Sequence, residues 1–371
     1  MPTRTFRGTI DSDWNKAGNW LEGAVPVAGD DVVFDGSSPN CTLSANAPAT
    51  GRLNSLICTN YTNRLNLNGY IMYVGQGALT GTILDVGANS KWGAGTIELY
   101  STTSTATGVN IVQGRNNVEF SVVNLQLNAL AANRFIDIQS NLRVKDIVVV
   151  ANYCGFASRN INIFVYGSLT EISGINTANI ALNLGVNNLY IIGGEGIAIN
   201  LNNALNTYGN VVIQGAVTLT KNLGVYLNNT QNNNLVFDAG NYINCNGYDV
   251  CVCVNGGAFN HDINVTNIDS LLINNISNSA AFVRFLSDIT INKRLIIIET
   301  IRQRSPYNVV RGTTPGSKVN ITLGNDCKYM LLYANLQDIS FNKPVKGFNC
   351  LITNCDNITS GDYPEICVSV Y

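Results

Sequence analysis

A four-residue unit recurs along the middle of this chain and limits what the chain can fold into. The unit consists of asparagine or aspartate, an apolar residue, any residue and a second apolar residue. It occurs at residues 124–127, 141–144, 162–165, 188–191, 210–213, 234–237, 262–265 and 288–291. Successive units start 17, 21, 26, 22, 24, 28 and 26 residues apart. This spacing is typical of a solenoid with one unit per coil, in which loops of varying length join the coils.

Each unit has the alternation of a strand that buries one face. Apolar residues stand at every second position, the stretches are rich in isoleucine, valine and threonine, and helix is nearly absent. Glycine and asparagine separate the strands, and both tolerate the left-handed backbone that a sharp corner requires. Stacked coils also allow asparagine amides to form ladders along the axis.

The pattern therefore predicts an all-β fold, a right-handed parallel β-helix (solenoid) with β caps at its N- and C-terminal ends. A second similarity agrees with this, since "LNGYIMYVGQGAL" at 67–79 matches "CNGYDVCVCVNGGAF" at 245–259, each with strand character around an Asn-Gly turn. A β-sandwich or jelly roll remains the alternative, because short strands with frequent turns have the same local pattern.

The first 36 residues combine unusual features within a short span. "DSDWNKAGNWLEGAVPVAGDDVVFDG" contains two of the three tryptophans, Trp14 and Trp20, together with Gly18, Gly29 and Pro26. A solenoid needs distinct ends because its terminal strand edges would otherwise pair with other chains. We therefore predict an N-terminal cap over residues 1–60 with the tryptophans closing the core, a solenoid body over 61–300 and a C-terminal β cap over 301–371.

These residues resemble a known group of proteins. The spacing W...GNW...P...DDVVF resembles the opening of phage-associated β-helical structural and surface proteins, and is also seen in autotransporter-like bacterial adhesins. The segments "VVRGTTPGSKVNITLGNDCKYMLLYANLQDISF" and "NCLITNCDNITSGD" are similar to the terminal segment of the same phage proteins. The last residues, "DNITSGDYPEICVSVY", depart from that pattern, so we expect the last cap to pack differently. The resemblance implies a structural component of a virion or a cell surface.

Charge and hydropathy exclude several classes of partner. Only 12% of residues are charged, the net charge is -2, and basic residues come no closer together than in pairs, such as Arg302 and Arg304, so we expect no nucleic-acid partner. Apolar runs end well short of the 18 or so residues that span a bilayer, so we expect no membrane insertion. The opening "MPTRTFRGTIDSDWN" lacks the apolar stretch of a secretory signal, and we expect the chain to fold in a cytoplasm.

The ten cysteines lack the dense, even spacing of a disulfide framework. In a reducing compartment they are expected to serve as small buried apolar residues, with Cys251 and Cys253 sharing one strand face as valines would. A zinc site normally requires paired cysteines or histidines, and His261 is the single histidine. We expect no metal and no cofactor.

Enzymes built on β-helices use paired carboxylates, so the acidic residues are the candidates for a catalytic site. The densest acidic group is Asp30, Asp31 and Asp35, of which Asp30 and Asp31 are predicted to cap turns. Asp262 and Asp288 occupy the same position in two units and are predicted to stack, as catalytic groups, calcium ligands or solvated corner residues. His261 is expected to be exposed at a polar corner. Nucleotide-binding and serine-hydrolase motifs are missing from the sequence, and we assign no catalytic, cofactor-binding or metal residues.

The sequence therefore predicts a non-enzymatic structural protein of a virion, such as a phage fibre, spike or capsid-decorating subunit, that acts in particle architecture or host attachment. Its expected partners are other capsid or tail proteins, a host surface glycan or receptor, and further copies of itself, a trimer being usual for fibres and spikes. We expect assembly in the host cytoplasm and location in the virion. The alternatives are a carbohydrate-active, tailspike-like enzyme and a bacterial surface adhesin.

Overall fold

The structure is a computed structural model. It describes residues 2–76, 80–104, 107–130, 134–151, 154–172, 180–185, 187–192, 198–200, 204–207, 209–215, 217–228, 233–237, 243–255, 260–275, 282–299, 309–312 and 315–361. The chain forms two compact units, Met1–Asn206 and Thr207–Tyr371. Regular structure in the described residues is β-strand apart from two 3-10 helices, Ala17–Asn19 and Val118–Val122. Arg302 and Arg304 lie outside the described residues.

In the N-terminal unit the chain passes repeatedly through three sets of parallel strands, which we call its first, second and third walls. The first wall contains Thr3–Thr5, Asp31–Val33, Ser55–Ile57, Thr82–Asp85, Ile111–Gln113, Arg134–Ser140, Cys154–Phe156, Ile180–Asn183 and Ala204–Thr207. The second wall consists of two separate ladders, one of Cys41–Thr42, Arg64–Asn66 and Lys91–Gly93 and one of Leu142–Val144, Asn162–Val165 and Asn188–Ile192. The third wall contains Ile71–Val74, Gly95–Ser101, Val123–Ala129, Ile147–Ala151, Leu169–Glu171 and Ala198–Asn200.

The C-terminal unit has three walls of its own. Its first wall contains Leu223–Asn228, Val250–Asn255, Lys328–Leu332 and Asp356–Gly361. Its second wall contains Val211–Gln214, Asn233–Phe237, Asn260–Asn264, Phe282–Phe285, Val309–Gly312, Asn335–Gln337 and Leu351–Thr353. Its third wall contains Val217–Leu219, Ile243–Asn244 and Val319–Leu323. Three long strands begin in the third wall and continue into the first: Asn267–Asn275, Ile289–Glu299 and Ile339–Phe348. Each unit is thus a parallel β-solenoid, as the sequence predicts.

Inward side chains stack in columns from coil to coil. In the third wall of the N-terminal unit, Ile97 pairs with Leu125, Leu125 with Ile147, Ile147 with Leu169, and Leu169 with Ile199. All five are buried. The alternation seen in the sequence therefore places the same kind of side chain at the same place in successive coils, where each buried aliphatic side chain contributes about 1.5–3 kcal/mol relative to an exposed one.

Asparagine has the two roles that the sequence predicts. Left-handed backbone occurs at eight described asparagines, namely Asn68, Asn110, Asn116, Asn160, Asn246, Asn349, Asn354 and Asn357. On the second wall of the N-terminal unit, the amide nitrogen of Asn188 donates to Asn162 Oδ1 at 3.0 Å, and the backbone N–H of Asn162 donates to Asn141 Oδ1 at 2.9 Å. The side chains of this ladder thus join three successive coils.

The aromatic residues of the opening segment form one buried cluster. Trp14 and Trp20 meet edge to face with ring centroids 4.7 Å apart, and Trp20 Nε1 donates to the Trp14 carbonyl oxygen at 2.8 Å. Phe6 and Phe34 complete the cluster, with Phe34 also 5.0 Å from Tyr61. The same segment supplies the first two strands of the first wall. The division into 1–60, 61–300 and 301–371 stays a prediction.

The repeat of the sequence does not keep to one wall. The unit that starts at Asn124 lies in the third wall of the N-terminal unit, the units from Asn141 to Asp262 lie in the second walls, and the unit at Asp288 lies in the third wall of the C-terminal unit. The two Asn-Gly turns at 68–69 and 246–247 likewise precede strands of different walls. Every wall buries one face, so the alternation alone does not identify the wall.

Ion pairs join successive coils at the corners. Arg159 binds Asp137 with both guanidinium arms, at 2.7 Å from Nε and 2.5 Å from Nη2, and Arg115 binds Asp85 in the same way at 3.2 and 2.7 Å. Burial by itself would raise the pKa of Asp137, but hydrogen bonds from Arg159, the Gly108 amide and Gln139 hold this pKa below its ordinary value. Asp137 is fully buried, so its ionised carboxylate depends on the neighbouring positive charge of Arg159.

We expect Arg159→Met to lower the free energy of unfolding of the N-terminal unit by about 3 kcal/mol, because it leaves the Asp137 carboxylate buried without its counter-charge. Urea unfolding followed by tryptophan fluorescence measures this, since Trp14, Trp20 and Trp92 all lie in this unit. Lys16→Met, which removes the exposed pair with Asp11, serves as the control and should leave the midpoint nearly unchanged. Equal midpoints for both variants would contradict the assigned role of Arg159.

Candidate functional site

The acidic group of the opening segment has structural partners. Asp30 Oδ2 accepts from Arg4 Nε and from the Val27 amide, both at 3.0 Å. Asp31 Oδ1 accepts from the Ser55 hydroxyl at 2.7 Å. Asp35 binds both arms of Arg7 at 2.9 and 2.8 Å, and the same interaction lowers the pKa of this carboxyl. The turn-capping role predicted for Asp30 is confirmed, whereas Asp31 contacts a side chain of the next coil.

The predicted stack of Asp262 and Asp288 is wrong, because the two residues lie in different walls. Asp262 pairs in register with Arg284 on the second wall and binds its guanidinium at 2.6 and 2.8 Å. Asp288 precedes a third-wall strand and accepts from the backbone and side-chain nitrogens of Asn320 at 2.8 and 3.0 Å. Across the described residues, no group of three or more His, Cys, Asp or Glu side chains is placed to hold a metal ion.

The prediction that His261 is exposed is also wrong. The residue lies in Asn260–Asn264 with its side chain inside the C-terminal unit, fully buried. Burial lowers the pKa of the imidazole to about 4, although the charge of the adjacent Asp262 acts in the opposite direction. His261 is therefore a neutral core residue at pH 7.

The cysteines are partly as expected. The eight cysteines with described side chains are free, and Cys41, Cys58, Cys245 and Cys327 are buried. Cys251 and Cys253 share one strand face, but that face is the outer one, because Val252 and Val254 occupy the core. Burial against neighbouring side chains still raises the pKa of the Cys251 thiol to about 12. The side chain of Cys154 and all of Cys367 lie outside the described residues.

A groove of about 280 Å³ lies at the corner between the third and first walls of the C-terminal unit. We call it the corner groove. Four successive coils supply its lining, which comprises residues 247–248, 269–270, 292–294, 326 and 328. Ser270 pairs in register with Arg294, and Arg294 with Lys328, so the strand ladder fixes these side chains at the spacing of the coils.

One column of side chains beside the corner groove is centred on Asp249. Both of its oxygens accept from Arg294 Nη1, at 3.1 and 2.9 Å, and Oδ1 also accepts from the Ser270 hydroxyl. Because Arg294 lies two coils beyond Asp249, its side chain passes Ser270 to reach the carboxylate. The three side chains thus hold one another in fixed positions.

The neighbouring column contains Asp269 and Lys293. Asp269 is nearly buried and binds Lys293 Nζ at 2.6 Å, while most of the lysine side chain is exposed. Asp326 and Lys328 at the far end are exposed, and in the part of the chain that the structure describes neither side chain has a hydrogen-bond or ion-pair partner. Tyr248 stands at the near end of the groove and is 37% exposed. It follows the Asn-Gly turn 246–247, and its backbone N–H closes this turn by donating to the Cys245 carbonyl oxygen at 2.7 Å.

Sequence reasoning did not find the corner groove. The signal that identifies it is the recurrence of charged residues just before or within first-wall strands, in "GYDV", "IDSL", "NKRL" and "NDCKY". These short segments begin 21, 24 and 33 residues apart and lack a common motif. They can be aligned only when the pairing of the coils is known.

Comparison with known protein families, with curated proteins and with solved structures gave no significant match for this chain. Within the described ranges, no helix has the length and apolar character needed to cross a bilayer. The geometry of the two units and of the corner groove is therefore the basis for a functional proposal.

The lowered pKa of His261 predicts that the free energy of unfolding depends on pH. Because the folded-state pKa of about 4 lies below the ordinary value of 6.5, the unfolded chain takes up the proton first. We expect the free energy of unfolding to be highest above pH 6.5 and to fall between pH 6.5 and 4 by up to about 3 kcal/mol from this group.

Urea unfolding monitored by circular dichroism at pH 7 and pH 5 measures the effect, and His261→Leu should remove it. The comparison is direct because no other histidine exists in the chain. Equal pH dependence in the two proteins would show that His261 is not a buried neutral imidazole.

Proposed function

We propose that the protein is a non-enzymatic structural component of a virion, of the fibre, spike or capsid-decorating type, that acts in particle architecture or host attachment. One observation carries the proposal: in both units parallel ladders join each coil to the next, and bidentate arginine–carboxylate pairs reinforce those contacts. A stack of this kind is a rigid scaffold with long, repetitive outer faces. Such faces suit contacts with neighbouring coat proteins or a host surface.

The composition supports the same proposal. The outer positions contain amide and hydroxyl groups more often than charges, and the net charge is -2. A nearly neutral surface does not repel further copies of the same chain, which agrees with a homo-oligomer, a trimer being the usual state of fibres and spikes. The proposed location is the virion, with assembly in the host cytoplasm.

Particles purified by density gradient from a culture that carries the gene provide the test. We expect mass spectrometry to find this chain in a fixed ratio to the major coat protein, and cryo-electron microscopy to place solenoid density at a repeated position on capsid or tail. A host cytoplasmic enzyme of similar abundance is the contamination control. Recovery of the chain in the soluble fraction alone, with none in the particles, would exclude a virion role.

A carbohydrate-active enzyme is the second candidate, and one observation favours it. Asp269 lines the corner groove and Asp249 lies beside it, bound to the groove residues Ser270 and Arg294, so two carboxylates are close to one cleft as glycoside hydrolysis requires. Both carboxylates, however, are bound to cations, whereas a general acid must carry a proton.

The enzyme hypothesis predicts that the purified protein shortens a polysaccharide and that Asp249→Asn or Asp269→Asn abolishes the cleavage. We expect no release of reducing ends from dextran, chitin or alginate by wild type. Cleavage lost in either variant, and retained in Asp262→Asn as the control outside the groove, would replace the non-enzymatic proposal.

The third candidate, a bacterial surface adhesin, predicts disulfides in an oxidising environment. The eight cysteines with described side chains are free thiols, which favours the virion proposal over the adhesin.

A further inference from the structure

The corner groove has the dimensions of a site for an extended ligand. Its lining comes from four successive coils, and neighbouring strands of a sheet lie about 4.8 Å apart, so the groove extends about 14 Å along the coil axis. It is open to solvent along this length because Tyr248, Lys293 and Lys328 are exposed. A chain-like molecule can therefore lie along the corner and contact every coil.

The charges of the corner groove are balanced. Asp269 and Asp326 line the groove together with Lys293, Arg294 and Lys328, and Asp249, which lies beside the groove, neutralises Arg294 through their ion pair. A site for a polyanion or a polycation would present an excess of one sign. Alternating strong donors and acceptors are instead suited to a neutral ligand whose groups donate and accept hydrogen bonds at short intervals.

The near end of the groove adds an aromatic surface. Tyr248 follows the left-handed residues Asn246 and Gly247, and an added Cβ on Gly247 would meet no atom within 4 Å, so the turn projects into open space. An exposed phenol ring offers an apolar face and a polar hydroxyl. The C–H face of a pyranose ring packs on such a surface while its hydroxyl groups remain free to form hydrogen bonds.

From these three observations we propose that the corner groove binds a neutral saccharide chain, with a sugar ring packed on Tyr248 and hydroxyl groups bound by the free side chains of Asp326 and Lys328. The ion pairs Asp249–Arg294 and Asp269–Lys293 hold the floor of the site in place before the ligand arrives. Binding then costs little ordering of side chains. This proposal can be tested independently of the virion role, because saccharide binding is measured on the purified protein without any particle.

The chain provides a closely matched control for Tyr248. Tyr70 follows the Asn-Gly turn 68–69 of the N-terminal unit, is 36% exposed, and donates its N–H to the Leu67 carbonyl oxygen at 2.8 Å. It thus has the same turn, exposure and hydrogen bond but lies outside the groove. Tyr248→Ala and Tyr70→Ala remove the same group with the same expected effect on folding.

The test is isothermal titration of the full chain with dextran, maltohexaose and chitohexaose as neutral probes and with heparin and polylysine as charged probes. We expect at least one neutral probe to bind, Tyr248→Ala to weaken that binding roughly tenfold, and Tyr70→Ala to change it less than twofold. The double variant Asp326→Asn, Lys328→Gln should weaken it by a similar factor, and circular dichroism confirms that each variant is folded.

Three results would overturn the proposal: binding of charged probes alone, equal loss in Tyr248→Ala and Tyr70→Ala, or unchanged binding in both groove variants. Failure to bind any of the probes would count against it in the same way. None of these results affects the virion proposal, which depends on detection in particles. Conversely, saccharide binding by a chain that is missing from particles would support the groove and exclude the virion role.

Discussion

The stacking of each coil on the next is the constraint on which the rest of this structure depends. The backbone groups of a strand bond to the coils before and after it, and its inward side chains contact their equivalents in those coils. The column from Ile97 to Ile199 shows the consequence, since every coil contributes an aliphatic side chain at the same place. One coil alone would expose its apolar face, so stability comes from contacts between coils.

The same constraint explains why the chain is rich in amides and poor in charges. Corners contain buried backbone groups that lie outside the ladders and need partners. Asn117 donates to the carbonyl oxygens of Gly87 and Ser90 at 2.6 and 3.0 Å, and Asn187 donates to that of Ala157 at 2.8 Å while accepting from the Arg159 amide. An amide side chain both donates and accepts without the desolvation cost of a charge. The buried carboxylates of Asp85 and Asp137 each bind a bidentate arginine of the next coil, Arg115 and Arg159.

The fold was predictable from the sequence because alternation and corner residues are local signals. The buried aromatic cluster of Trp14 and Trp20 was predictable for the same reason, as was the left-handed asparagine backbone. Register between coils was not, because corner length varies: Leu142 pairs with a residue 21 positions later, whereas Asn233 pairs with one 28 positions later. The burial of His261, by contrast, follows the local alternation, which places it on the same inward face as Ile263 and Val265.

The corner groove follows from this variation in register. The long strands Asn267–Asn275 and Ile289–Glu299 pass the corner with a local shift in pairing, and this shift leaves Asp269 and Lys293 outside the ladder at the bend, where they bind each other. Tyr248 and Asp326, by contrast, stand on turns before first-wall strands, where a substitution leaves the inward columns unchanged. A solenoid can therefore keep a fixed floor of paired charges while the residues at the ends of the groove change. This separation of a rigid base from variable turns allows binding specificity to change without loss of the stacked core.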